Sequence, residues 1–310
     1  MEFKHYSVLL KESIEALNIK PDGIYVDCTL GGAGHSSQIL KRLTTGHLYA
    51  FDQDLIAIKA SSERLKAIGD NFTIIQSNFV NLKQELLNRG ISKIDGIIFD
   101  LGVSSPQLDD IERGFSYHHD AKLDMRMDQT QGLTAYDVVN QYTFQNLYYM
   151  INNYGEEKFA KQIAREIEKA RLVKPIETTL ELVEVIKRAM PEKAKREKHP
   201  AKRTFQAIRI EVNQELSILP TAFTDAIELL NLNGRIAIIT FHSLEDKIAK
   251  DIIKKYSTIE VPRGLPIIPD NLKPTLQVIN KKAIMAGESE LEENNRSHSA
   301  RLRVAEKINE

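Results

Sequence analysis

Ile24-Tyr-Val-Asp-Cys-Thr-Leu-Gly-Gly-Ala-Gly-His35 is the stretch on which the fold turns. A short apolar run ends at Asp27, a glycine-rich turn follows, and residues 36–43 continue with helix-compatible spacing. Strand, glycine turn and helix form the unit with which an α/β sheet offers backbone N–H groups to a nucleotide-like ligand.

The same rhythm repeats downstream. Residues 48–52 form a second short apolar run ending in an acid, Asp52. Asp54 is placed to cap the next helix, whose apolar face is Leu55, Ile58, Leu65 and Ile68. Residues 72–75 read as a third strand leading to Asn78 and Phe79, and residues 94–100 as a fourth ending at Asp100. Strands alternating with helices imply right-handed crossovers and a parallel sheet. From residue 105 to about 216 no buried strand is legible. Helical spacing dominates instead: Phe144, Leu147, Tyr148 and Ile151, then Phe159, Ile163 and Ile167, then Leu180, Val183 and Ile186. Gly155 and Pro175 divide this region into pieces. Strand patterns resume at 234–240, with closing strands expected at 276–279 and 301–305 and a loop across the four prolines of 262–274. The expected class is α/β: a parallel-core sheet built from residues 1–107 and 212–310, with a helical insertion at 108–211.

Composition narrows the function classes. A formal charge of −1 over 310 residues announces no polyanionic partner, so a nucleic-acid surface has to be a local patch. A single cysteine excludes an internal disulfide framework and suits a reducing cytoplasm, the expected location. No apolar run reaches the length of a membrane span.

Ligands of such sheets sit at the carboxyl ends of the strands. Those ends carry Gly31, Gly32, Ala33, Gly34 and His35, then Asp52, then Asn78 and Phe79, then Asp100. Glycines admit close backbone approach. Asp52 lies about 20 residues past them, where a carboxylate accepts from ribose hydroxyls. Phe79 offers a face for adenine, and Asp100 an acceptor for an ammonium group or amine. The third glycine of a dinucleotide fingerprint is missing, and there is no Gly-Lys-Ser/Thr for a triphosphate. Asp27 before the turn suits a cationic, phosphate-free ligand. S-adenosylmethionine fits these features together.

Longer motifs now carry a resemblance. Asp27-x-Thr-x-Gly-Gly-x-Gly-His35, Asp100-Leu-Gly-Val-Ser-Ser-Pro-Gln107, Arg113-Gly-Phe-Ser-Tyr117, Leu123-Asp-Met-Arg-Met-Asp128, the run from His199 to Asn213 and Phe241-His-Ser-Leu-Glu-Asp246 closely resemble the bacterial ribosomal RNA small-subunit methyltransferase H family, also called MraW. The opening His5-x-x-Val-Leu-Leu-x-Glu12 matches too, so the resemblance spans about residues 5–305. It implies a class I (Rossmann-like) methyltransferase domain with an inserted helical domain. It also implies an S-adenosylmethionine-dependent enzyme that methylates N4 of a cytidine in 16S rRNA, at the decoding centre of the small ribosomal subunit. By motif position it implies cofactor roles for Ala33, Gly34, His35, Asp52, Phe79, Asp100 and Gln107, to which the glycine turn adds Gly32.

The chemistry expected of such an enzyme is positional. A cytosine amine is a poor nucleophile and has to be held in line with the methyl group. Asp100 with Ser104 and Ser105 is the set expected to orient it, in a looser version of the Ser/Asn/Asp-Pro-Pro-aromatic loop of amino-methylating DNA enzymes. Cys28 lies inside the first strand, which argues against cysteine-dependent C5 chemistry. His118-His119-Asp120 are adjacent on a loop and lack a second ligand cluster, so no metal is expected. Asp124, Arg126 and Asp128 read either as an ion-paired loop or as a lid; His242 reads either as a pocket residue or as a helix cap.

A basic stretch from Lys187 to Arg209 closes the insertion, and Lys198, Lys202, Arg203 and Arg209 are the RNA contacts expected there. The target base has to leave its stack to reach the cofactor. A small-molecule or protein methyltransferase, or a nucleoside-binding assembly protein without catalysis, are the competing readings. The basic stretch and the Ser-Ser-Pro loop at 104–106 speak against the first, and the presence of both Asp52 and Asp100 against the second. The sequence leaves the oligomeric state open, a homodimer included.

Overall fold

The structure is a computed structural model that describes residues 7–197, 199–258 and 273–310; the side chains of Ser105, Pro106, Glu197 and Asn295 are outside that description. His5, Lys198 and the loop expected across Pro262, Pro266 and Pro269 therefore lie outside the described residues.

The first half runs α1 (Leu10–Ala16), β1 (Ile24–Asp27), α2 (Gly34–Leu40), β2 (His47–Asp52), α3 (Leu55–Lys66), β3 (Phe72–Gln76), α4 (Leu82–Leu87) and β4 (Ile94–Asp100). Helices follow without interruption by a strand: α5 (Ser105–Asp109), α6 (Ala135–Gln141), α7 (Phe144–Asn153), α8 (Ala160–Val173), α9 (Thr179–Ala189), α10 (Glu192–Glu197), α11 (Lys202–Asn213) and α12 (Leu219–Leu229). The chain then makes β5 (Leu230–Thr240), α13 (Ser243–Ser257), β6 (Leu276–Val278), α14 (Glu288–Glu293) and β7 (Arg301–Lys307).

Two compact units result: Met1–Gly102 with Ser217–Glu310, and Val103–Leu216. The first holds a seven-stranded sheet in the order β3-β2-β1-β4-β5-β7-β6. Strands β1 to β5 pair in parallel, while β7 runs antiparallel to both β5 and β6. Side chains alternate across it. Ile98 of β4 packs with Ile39, Leu48, Ile239 and Leu302 on one face, whereas Phe99 stands edge-on to Phe223 of α12 at 5.0 Å on the other. Burial on both faces explains why these strands read as continuous apolar runs.

The second unit is helical around its own core, in which Leu147, Ile151, Ile163, Ile167, Leu182 and Ile208 are buried. Its helix starts are written locally. Thr134 with Asp137 and Thr178 with Glu181 form capping boxes at α6 and α9, and Thr143 caps α7.

Candidate active site

Strand order locates a crevice before any side chain is considered. From β1 the sheet grows through β2 and β3 in one direction and through β4 and β5 in the other, and the carboxyl ends at such a switch point are where ligands enter. The ends of β1, β2 and β4 carry Asp27, Asp52 and Asp100.

Asp27 is fully used inside the protein. Its Oδ1 accepts from Thr29 N at 3.0 Å and its Oδ2 from Ser36 Oγ at 2.7 Å, tying strand to helix beneath the turn. It acts as scaffold and not as the counter-ion that its place before the turn suggests.

The glycine turn is clamped from three sides. Gly31 and Ala33 have φ of +46° and +58°, a region costly for a side chain, and Ala33 bears that cost fully buried. Asp52 accepts from Gly31 N at 2.8 Å and from Asp54 N at 2.8 Å. On α3, Ser61 donates to Gly31 O at 2.5 Å and Arg64 to Gly32 O at 2.7 Å. A Cβ on Gly34 would lie 1.7 Å from Ser7 Oγ and 2.8 Å from Ser7 Cβ, so Ser7, before α1, closes over the turn and any side chain at 34 has to displace it. Ser7, Ser61 and Arg64 have no signal in the sequence, because each meets the turn from 27 or more residues away.

Burial raises the Asp52 carboxyl to about 6, against the two backbone donors that favour its charge. The Asp100 carboxyl is likewise raised well above its usual range: desolvation acts first, then the negative charges of Asp27 and Glu245. Its Oδ2 lies 3.5 Å from Nδ1 of the buried His35, and Thr29 Oγ1 accepts its backbone N–H at 2.8 Å. Its Oδ1 is buried and has no hydrogen-bond partner among the described residues. A buried acceptor with nothing to accept from marks the place of an N–H donor, preferably a cationic one.

Phe79 opens a 3-10 turn, Phe79–Asn81, and is held edge-on by Phe99 at 5.6 Å. Asn78 caps this turn and donates to Gln53 Oε1, bridging the ends of β3 and β2. Together these residues fit a nucleoside bearing a positive charge: a turn for close approach, an acid for a ribose, a ring for a base and an unmet acceptor for an ammonium group.

Other expected residues are placed differently. Ser104, Ser105 and Gln107 belong to the second unit. Buried Gln107 turns its Oε1 onto Ser104 N at 3.0 Å, bracing its own loop, and Ser104 Oγ is buried without a partner among the described residues. The Asp124–Asp128 segment is an ion-paired loop. Arg126 grips Asp124 at 2.7 and 2.9 Å, and though burial pushes that carboxyl up, Arg126 brings it below its usual value. Buried Arg113 donates to Arg126 O and Met127 O, and Asn213 brackets Met125 and Met127. His242 caps α13, accepting from Glu245 N. Burial and then Asp27 push the Cys28 thiol well up, so it is no nucleophile.

Among the basic residues, Lys202 and Arg203 are exposed at the start of α11. Arg209 corrects the expectation: it is partly buried and forks onto Glu215 at 2.8 and 2.9 Å, so its charge is answered within the unit. Lys198 lies outside the described residues.

A family model described as the MraW methylase family matches residues 2–308. A ribosomal RNA small subunit methyltransferase H from Exiguobacterium sibiricum is 60% identical over 310 residues, covering 99% of both chains. Solved structures overlap more loosely. A proposed rRNA methylase from Clostridium thermocellum aligns at TM-score 0.47 and 12% identity, covering 98% of this chain and 100% of its own. A proposed Streptococcus mutans methyltransferase in complex with SAH aligns at TM-score 0.43 and 13% identity, covering 98% and 100%.

Proposed function

The chain belongs to the MraW methylase family, and from that membership we propose that it methylates N4 of a cytidine in the 16S rRNA of the small ribosomal subunit. It is an S-adenosylmethionine-dependent rRNA methyltransferase. The single structural observation that supports the cofactor reading is the unmet Oδ1 of Asp100, buried beside His35 at the switch point of the sheet.

When bound, S-adenosylmethionine supplies an electrophilic methyl group. The protein's own work is to hold and to orient. Gly32, Ala33 and Gly34 present backbone, Asp52 accepts from a ribose, and Phe79 packs a base. Asp100 offers its unmet oxygen to an ammonium group or to the target amine, and His35 steadies it. Ser104 and Ser105 are proposed as acceptors that favour the amine form with a localised lone pair. The N-methyl ammonium first formed as the sulfonium becomes a thioether is acidic and sheds its proton to water, so a strong base is not required. Lys202 and Arg203 supply phosphate contacts from the inserted unit, and the pocket selects the base.

The test is incubation with methyl-labelled S-adenosylmethionine and three substrates: naked 16S rRNA, 30S subunits and 70S ribosomes. Label is expected in cytidine of at least one. Label in none removes the proposal. Asp100→Ala is expected to abolish labelling, and full activity in that variant removes Asp100 from the site.

A further inference from the structure

Three rings meet in the second unit that no part of the cofactor site uses. Tyr117 stacks on His199, with centroids 4.4 Å apart and planes 26° apart. His118 completes the group, 4.5 Å from Tyr117 and 5.1 Å from His199. Buried Phe205 stands edge-on beneath Tyr117 at 5.7 Å and anchors the group to the helical core. His118 is exposed, and Tyr117 and His199 are half-buried.

Two features make this more than core packing. The first is orientation. His199 Nδ1 accepts from Ala201 N at 3.3 Å and its carbonyl accepts from Lys202 N at 3.2 Å, so the ring is fixed at the threshold of α11. Burial, then His118 and Lys187, hold its pKa below the usual histidine value, which leaves a neutral flat ring at neutral pH. The second is charge. Lys202 and Arg203 are exposed within one turn of His199; Arg203 donates through one guanidinium nitrogen to the Glu156 carbonyl, and among the described residues Lys202 has no ion pair. A core cluster has no use for exposed cations around a wet imidazole. Single-stranded RNA does: its bases stack on aromatic and histidine rings while its phosphates meet lysine and arginine.

We propose that Tyr117, His118 and His199 form a stacking platform for an unpaired base of the RNA substrate, with Lys202 and Arg203 on the adjoining phosphates. The inference rests on the rRNA reading above and deepens it by naming where a second nucleotide is held. Such a contact is sequence-tolerant, because every base has a π-face.

The experiment compares binding of the full chain to a short single-stranded oligoribonucleotide and to an abasic strand of equal length. Abasic RNA keeps the phosphates and removes the bases. The wild-type protein is expected to prefer the base-bearing strand by roughly 5- to 150-fold. His118→Ala, at an exposed position, and Tyr117→Leu, which keeps apolar bulk, are expected to shrink that preference, and Tyr117→Phe to retain it. Lys202→Ala is expected to weaken both strands alike. Equal binding of both strands by wild type, or an undiminished preference in His118→Ala and Tyr117→Leu, overturns the platform. Labelling of rRNA reports separately on the reading beneath it. A chain that labels rRNA yet has no base preference loses only the platform. A chain with the preference, lost in the variants, that labels no RNA keeps the platform and loses the methyltransferase reading.

Discussion

Asp52 and Asp100 are the same chemical group at the ends of strands flanking β1, and their surroundings assign them different work. Asp52 has two backbone donors and a carboxyl raised to about 6; Asp100 has an empty oxygen and acidic neighbours. Only ionised Asp52 accepts from both hydroxyls of a ribose. Adenosine, which lacks an ammonium group, isolates this contact. Its affinity is expected to be flat above about pH 6 and to fall roughly tenfold per pH unit below it. Calorimetry between pH 5 and 8 reads this, and a flat profile removes Asp52 from the ribose. Asp100 yields a stability prediction. Its folded carboxyl keeps its proton to higher pH than an unfolded one, so ionisation costs stability as pH rises past about 4. Asp100→Asn is expected to melt above the parent at pH 8, with the gap closing as pH falls toward about 4. It is also expected to lose methyl transfer; a variant no more stable at pH 8 contradicts the desolvation account.

Elements were legible where their information is local. The apolar runs ending at Asp27, Asp52 and Asp100 mark β1, β2 and β4, and Asp54 caps α3 as its position suggests. What the sequence hides is the tertiary partner. Nothing near residues 31–34 announces Ser7, Ser61 or Arg64, yet these close the turn. Nothing in residues 301–307 says that β7 enters the sheet between β5 and β6 and antiparallel to both. Gly34 tests the packing of the turn directly. Gly34→Ala is expected to cost about 1–3 kcal/mol and to raise the KM for S-adenosylmethionine, because its Cβ meets Ser7. Adding Ser7→Gly is expected to restore most of both. An additive double mutant contradicts the contact, since neighbours in collision do not add.

For the whole molecule, a formal charge near zero conceals a local surface, and charge counting alone does not find it. Arg209 reads as an RNA contact until Glu215, six residues on, is seen to hold it; Lys195 is likewise paired with Glu192. Lys202 and Arg203 meet no carboxylate among the described residues, although Arg203 donates to the Glu156 carbonyl. Replacing both with alanine is expected to lower the slope of log affinity against log salt by about 1.4 for single-stranded RNA, leaving cofactor affinity unchanged. An unchanged slope removes them from the phosphates. Tyr117 and His199, 82 positions apart, could not be joined by any sequence pattern, because only the folding of the helical unit stacks them. The central claim is the atom methylated. Small ribosomal subunits incubated with the protein and methyl-labelled S-adenosylmethionine, digested to nucleosides and resolved by chromatography and mass spectrometry, report it directly. The label is predicted to travel with N4-methylcytidine. Label in 5-methylcytidine or in a 2′-O-methyl nucleoside, or no label in the rRNA at all, would contradict the account.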